Sequence, residues 1–454
     1  MTVVTLVYPY FRPSHDNSIF RFPPLGLGYL ASCLRRRGIS TELVDCTFLT
    51  PEEAIERVRQ SSPGIIGIQS MYSMKRKAME LARTFRGTCK LLVAGGPQPT
   101  ADPKGFLDDF DVAVIGEGEQ TIVELAEAFE RGADLSCVNG IAYRAGREGE
   151  IKFAPPRGFI QNLDYIPFPA RESFDNRAYM EYYSRNYGYT TTSIMTSRGC
   201  PFQCDFCSRP VFGNEFRTRS ASNIVDEMRD VAGLGYDRVW VADDCFTLNR
   251  NRLVDICEEI IRRRINLGWE CLSRVDTVDD MVARIMKRAG CVRMFFGIES
   301  GNNRILSLMK KQITTQQAEK AVKAAKEAGI QVGAFFIVGY PGEDPKTVLD
   351  TVRFASSLPL DYLSFTMPYP IPGTPLHERV KSTMVDDEWE EPRNLNLVKH
   401  RLTFQSGLSE SLLKLVIVKG MAQFYVRKYL GSGGYKLMGE PFEALSDKLI
   451  EHMR

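Results

Sequence analysis

The sequence predicts an α/β protein: a doubly wound parallel sheet over residues 1–150, a linker over 151–185, a second series of six strand–helix units over 186–376, and a helical segment over 377–454. Three observations lead there. Short apolar runs alternate with amphipathic helical patterns, which implies parallel strands covered on both faces. Glycines gather just after the ends of those runs, where sheets of this kind bind ligands. A loop with three cysteines, Cys200-Pro201-Phe202-Gln203-Cys204-Asp205-Phe206-Cys207, directly follows an apolar, β-branched run at 190–196.

Composition narrows the function class. The 44% hydrophobic and 25% charged fractions are those of an ordinary globular protein. With 58 basic and 56 acidic residues the net charge is +2, which supplies no field for capturing nucleic acid or an anionic membrane. A small, weakly charged substrate or a protein partner is expected instead. No apolar run approaches the ~20 residues that cross a bilayer, and the start lacks the basic flank of a signal peptide; it reads as a first strand. The eleven cysteines are odd in number and mostly isolated on apolar segments, as at Cys33, Cys89, Cys257 and Cys291. That pattern points to a reducing cytoplasm, not a disulfide framework.

In order along the chain, residues 3–7 form the first strand and 25–37 a helix stopped by Gly38 in the manner of a C-cap. Strands at 41–44, 65–69, 91–94 and 112–115 follow, with helices at 74–86 and 119–131. Gly95 and Gly96 end one strand, and Gly116 and Gly118 the next. A backbone without Cβ can approach a large ligand there, although strand-to-helix turns also use glycine for geometry alone. Residues 137–144 read as one further strand with a polar hairpin around Gly149. Prolines in 164–171 mark the linker. The aromatic group Tyr179, Tyr182, Tyr183, Tyr187 and Tyr189 reads as packing between domains or as a pocket wall.

The second series has strands at 191–196, 238–242, 269–272, 293–298, 331–338 and 363–366, with helices at 221–234, 250–265, 277–289, 314–328 and 344–357. Six units are too few for a closed eight-stranded barrel. The remainder has helical patterns at 409–430 and 441–452 and matches no motif.

Three thiolates on one short loop suit zinc or an iron–sulfur cluster, but structural zinc takes four protein ligands and no Cys or His nearby completes a set. The loop resembles the C-x3-C-x2-C signature of the radical S-adenosylmethionine (SAM) enzymes, including the aromatic Phe206 before the third cysteine. That resemblance implies a 4Fe-4S cluster on Cys200, Cys204 and Cys207, with SAM on the fourth iron, and an open, partial barrel. Upstream, Pro23-Pro24-Leu25-Gly26-Leu27-Gly28, Gly95-Gly96-Pro97-Gln98 and Gly116-Glu117-Gly118-Glu119 resemble, in that order, the cobalamin-binding type of the superfamily. The first domain is then expected to be flavodoxin-like, with cobalamin against Gly95, Gly96, Gly116 and Gly118. The D-x-H-x-x-G motif that ligates cobalt elsewhere is absent, and the only histidine of this third is His15. An empty domain or a substrate platform is the alternative.

The resemblance assigns further residues at strand ends. Asp243 or Asp244 would hold the SAM ammonium, since a carboxylate pair there needs a cation or water. Arg274 would take the SAM carboxylate, or form a surface ion pair with Asp276. Glu299 or Ser300, in Gly297-Ile298-Glu299-Ser300-Gly301, would bond the ribose. Residues 336–343 would border the adenine, and Pro370-Ile371-Pro372-Gly373-Thr374 closes the sixth unit. Cys245 and Tyr340 are candidate catalytic residues, with core packing the alternative for Cys245. No second cysteine group indicates an auxiliary cluster, and four histidines do not suggest a Ser-His-Asp hydrolase.

The implied activity is reductive cleavage of SAM by an external one-electron reductant such as flavodoxin or ferredoxin, giving a 5′-deoxyadenosyl radical that abstracts hydrogen from an unactivated carbon. The substrate would be small and of natural-product type, as in antibiotic biosynthesis. Cobalamin-dependent C-methylation is the leading outcome. A lyase or oxidoreductase reaction on an aminosugar-like substrate without methyl transfer is the runner-up, and a non-catalytic electron carrier or sensor is the reading from another class.

Overall fold

The computed structural model describes residues 3–14, 16–145, 149–385, 401–435 and 439–451. His15 and the last expected helical residue, His452, lie outside them. The chain divides into two compact units, residues 1–200 with 209–240 and residues 201–208 with 241–454.

The first unit is built on a seven-stranded sheet of β1 (Val3–Tyr8), β2 (Ser40–Asp45), β3 (Ile65–Gln69), β4 (Leu91–Gly95), β5 (Val112–Val114), β6 (Ile141–Arg144) and β7 (Ile151–Phe153), ordered β2-β1-β3-β4-β5-β6-β7. The first five strands pair in parallel, and 2-1-3-4-5 is the flavodoxin-like order. Alternation along each strand fills two cores, as period-two side chains must. Val4, Leu6 and Tyr8 enter one core with Leu91 and Val93, while Val7 enters the other with Leu92 and Ala94.

The parallel sheet is extended at one edge by two antiparallel strands, the first of them the further strand read at 137–144. β6 pairs antiparallel with β5, and β7 antiparallel with β6; the few residues between β6 and β7 are too short for a parallel crossover. β7 thus falls inside the stretch read as a linker, as does the helix Asn176–Tyr187, capped by Asp175 and ended by left-handed Gly188. The tyrosines are internal packing of this unit. Tyr179 donates to Asp45 at 2.7 Å, and Tyr182 and Tyr183 donate to the carbonyls of Ser18 and Ile19. Gly28 is small for a packing reason, since a Cβ there would lie 2.8 Å from the Phe174 ring and 2.9 Å from Pro169.

The six later strands are β8 (Thr191–Ile194), β11 (Arg238–Val241), β12 (Gly268–Ser273), β13 (Cys291–Glu299), β14 (Gln331–Ile337) and β15 (Tyr362–Thr366), ordered β15-β14-β13-β12-β11-β8. This is the open series of six expected from sequence. β12 to β15 pair in parallel with their neighbours. Sequence reading missed the ribbon of β9 (Ser197–Arg198) and β10 (Arg217–Thr218), antiparallel with Arg217 opposite Arg198. Two-residue strands carry no periodicity to read.

The closing helices Glu410–Gly434 and Glu440–Glu451 belong to the second unit. Gly420 lets the first of them approach Phe365, where a Cβ would sit at 2.9 Å. Asp447, on the second, takes Lys419 and Arg353 as buried and half-buried ion partners. Among the described residues no helix is long and apolar enough to cross a membrane.

Candidate cofactor sites

The cysteine segment leaves from β9 and returns through β10, and the first unit fixes that base. Gly199 has φ +81°, and a Cβ there would lie 2.2 Å from the Glu215 carbonyl oxygen, so only glycine makes this turn into Cys200. The Cys200 N–H donates to the Gly213 carbonyl at 3.3 Å, and Arg209 donates to the Cys200 carbonyl at 2.8 Å. Arg198 donates to Glu117 at 2.7 Å and to Glu119 at 2.5 Å, while Arg217 donates to both oxygens of Glu117 at 2.9 and 3.0 Å. All four side chains are buried. Beside this group, Glu227 takes Arg171 at 2.5 Å and also Arg219, again buried. Neither charge group was legible from motifs.

The rest of the loop belongs to the second unit. Asp205, fully buried between two cysteines, receives the Tyr340 hydroxyl and the Arg379 guanidinium; its N–H donates to the Met309 carbonyl at 3.1 Å. Phe202 lies under the Arg274 guanidinium at 3.5 Å, and Phe206 packs with Ile305, Met309, Ile337 and Leu376. Cys204 is buried and Cys207 exposed. Burial pushes the Lys311 ammonium pKa down, but the carboxylate of Glu299, 2.9 Å away, and then the Cys204 sulfur more than offset this and hold it above its ordinary value.

Several expected ligand contacts are already engaged otherwise. Arg274 pairs with Asp276 through two bonds of 2.9 Å and donates to the Lys311 carbonyl; the pair is mostly buried and not on the surface. Ser300 shares a hydrogen bond with Thr351 and accepts from the Asn302 N–H, which makes it part of a helix start. Glu299 pairs with Lys311 and stands at φ +74°, a conformation that costs about 1–3 kcal/mol in a non-glycine residue. Gly297 gives that pair room, since a Cβ there would meet Glu299 Oε1 at 2.6 Å and Lys311 Nζ at 3.1 Å.

Tyr340, a candidate catalytic residue, is fully buried with its hydroxyl on Asp205, and burial followed by Asp205 raises its phenol pKa. Cys245 is 2% exposed in the core. Of the acidic pair after β11, Asp243 is buried 3.9 Å from Arg252, whereas Asp244 is exposed. Glu343 closes the turn after β14 by accepting from the Gly339 and Tyr340 N–H groups at 2.6 and 2.8 Å.

At the strand ends of the first unit the four glycines separate. Gly96 has φ +109°, and a Cβ there would lie 2.9 Å from the Ser70 carbonyl oxygen, whereas a Cβ on Gly95 would meet nothing within 4 Å. Gly118 gives clearance to Leu30, where a Cβ would lie at 3.3 Å, and Gly116 takes φ +83°. Beside Gly96, the buried Gln69 Oε1 lacks a hydrogen-bond partner. An open glycine edge with an orphaned acceptor suits a large polar ligand such as cobalamin. Among the described residues no three His, Cys, Asp or Glu side chains stand gathered around a common metal position. The donor set still fits an iron–sulfur group, since three thiols share one loop whose backbone and flanking rings are fixed.

Comparison with known proteins agrees with this geometry. The B12 binding domain family profile matches residues 16–126, and the radical SAM superfamily profile matches residues 194–355. An uncharacterized methyltransferase of Pyrococcus horikoshii is 34% identical over 416 residues, covering 89% of this chain and 88% of the relative. The anaerobic magnesium-protoporphyrin IX monomethyl ester cyclase of Rubrivivax gelatinosus is 28% identical, covering 83% and 70%. Among solved structures, the radical SAM methyltransferase TsrM of Kitasatospora setae, with cobalamin and a [4Fe-4S] cluster bound, superposes with TM-score 0.72 at 22% identity, over 84% of this chain and 75% of that one. The chain belongs to the radical SAM superfamily, in the branch that carries a B12-binding domain, and is an enzyme of that class.

Proposed function

We propose that the enzyme methylates an unactivated carbon of a small substrate, using a 4Fe-4S cluster, SAM and cobalamin. The observation that carries this reading is the pairing of parts in one chain: a 2-1-3-4-5 sheet with an open glycine edge, and a three-cysteine loop on a fixed base ahead of an open series of six strands. Bound together, those cofactors supply the 5′-deoxyadenosyl radical and the methyl group. This chain's residues bind and orient. Cys200, Cys204 and Cys207 would hold the cluster. Asp243 or Asp244 would meet the SAM ammonium, and Glu299 with Lys311 offers one acceptor and one donor for ribose or carboxylate. Gln69, Gly95 and Gly96 would cradle cobalamin.

The name of the Pyrococcus relative supports methyl transfer. The Rubrivivax relative is named a cyclase, which favours as second reading a radical reaction that forms or rearranges bonds without adding a methyl group. In either case a small external protein would deliver single electrons, and a reducing cytoplasm suits the eleven cysteines, all present as thiols. Cobalt and iron content of protein purified anaerobically with cobalamin, after iron–sulfur reconstitution, tests the proposal. About four irons per chain with stoichiometric cobalt is expected. Iron without cobalt would shift the function to the second reading. Replacing any one of Cys200, Cys204 or Cys207 by Ala should abolish cluster binding and SAM cleavage together, and cleavage surviving in such a variant would overturn the assignment.

A further inference from the structure

We infer that Glu117 is a positioning residue for the cysteine loop, fixing the base from which Cys200 is presented. The inference rests on the reading of that loop as the cluster site. Glu117 stands between two glycines at the end of β5, where the sequence pattern suggests a ligand contact, yet its side chain is 2% exposed. Its two oxygens are fully engaged. Oε1 takes Arg198 and Arg217, and Oε2 takes Arg217 and the Ile160 N–H at 2.7 Å. Arg198 and Arg217 are the facing residues of the β9–β10 ribbon, so one carboxylate grips both strands at the single point where the 199–216 excursion begins and ends.

The arginines carry the constraint outward. Arg217 also donates to the Ile160 and Phe212 carbonyls at 2.8 and 3.1 Å, and Phe212 neighbours Gly213, whose carbonyl accepts from Cys200. Arg198 lies over the Phe212 ring at 4.9 Å, two residues before Cys200. Glu119 holds only the second nitrogen of Arg198. Glu117 is therefore the shared partner: its removal leaves Arg217 without a carboxylate and Arg198 with Glu119 alone, whereas loss of Glu119 leaves both arginines on Glu117.

Glu117→Gln alone would leave Arg217 without a carboxylate in a dry site and endanger folding. The decisive variants are Glu117→Asp, which keeps the charge at shorter reach, and Glu117→Gln with Arg217→Met, which removes both charges while Arg198 keeps Glu119. Full-length, reconstituted protein is compared for iron and cobalt content, thermal midpoint, the electron paramagnetic resonance spectrum of the reduced cluster with and without SAM, and SAM cleavage. Both variants should keep iron and cobalt near wild type and lose or broaden the spectral change on adding SAM. Cleavage should fall about tenfold or more, because displacements near 1 Å act on rate in this way. The double variant should fail in this manner even where its thermal midpoint returns to that of wild type. Wild-type spectra and cleavage in a double variant of wild-type stability would overturn the inference and leave Glu117 a folding element. Wild-type protein that takes up no iron would instead overturn the cluster reading, and this inference with it.

Discussion

Glu343 gives a prediction that depends on no cofactor. The residue is 8% exposed, Oε2 accepts two backbone N–H groups in the turn after β14, and Oε1 is buried without a partner. Burial pushes its pKa from 4.5 up to about 8; the Tyr340 and Gly339 N–H groups and Arg304 pull it down, and Asp344 adds to the rise. The folded chain thus keeps a proton that the unfolded chain releases between the two values, so the contribution of Glu343 to stability is full below about pH 4.5, declines as pH rises, and levels off above about 8. A shift of this size corresponds to a decline on the order of 5 kcal/mol over that window. Glu343→Gln keeps the acceptor for both N–H groups and cannot ionise. Urea unfolding of wild type and variant at pH 5, 6, 7 and 8, followed through the buried Trp269, measures the difference. The variant should gain on wild type steadily as pH rises, by several kcal/mol at pH 8 relative to pH 5. Parallel pH profiles for the two proteins would refute the reasoning.

Three further outcomes follow from single sites. Gly199→Ala places a Cβ against the Glu215 carbonyl at φ +81°, so iron uptake should be lost while circular dichroism keeps the α/β signature. Glu227→Gln strips the shared carboxylate from Arg171 and Arg219 and should destabilise the chain by about 3–5 kcal/mol in chemical unfolding, far more than the loss of an exposed pair such as Arg177 with Glu181. Gly96→Ala forces a Cβ to 2.9 Å from the Ser70 carbonyl and should lower cobalamin retention, whereas Gly95→Ala, in open space, should leave the fold's thermal midpoint within a degree or two and act only on the ligand.

Much of the fold was legible because its strands are apolar runs that end where glycine is required. β3, at 65–69, was read at its observed bounds, and the six later strands agree to within a few residues at their ends. What sequence could not supply was pairing direction and the partners of buried charge. β6 was read as a strand and β7 fell within the linker, because side-chain pattern does not carry pairing direction. Ribbon strands of two residues leave no period at all.

The same limit decides what could be read of the site. Cys200, Cys204 and Cys207 are found from local spacing, since their ligands share one loop. Arg274 and Ser300 lie at the expected strand ends; the pairing of Arg274 with Asp276 was legible from their spacing, whereas the engagement of Ser300 by Thr351, 51 residues away, was not. Glu117 shows the opposite case. Two carboxylates alternate with glycines at the end of an apolar strand, and a carboxylate in a buried turn needs cations, which Arg198 and Arg217 supply. The pairing with Arg198 is separated by 81 residues, so the chain can announce that such a partner is needed but not which arginine will meet it. Glycine-rich strand ends in this fold therefore carry two distinct signals. Gly95 and Gly96 leave a backbone edge open, while Gly116 and Gly118 flank a glutamate buried against the base of the cysteine loop.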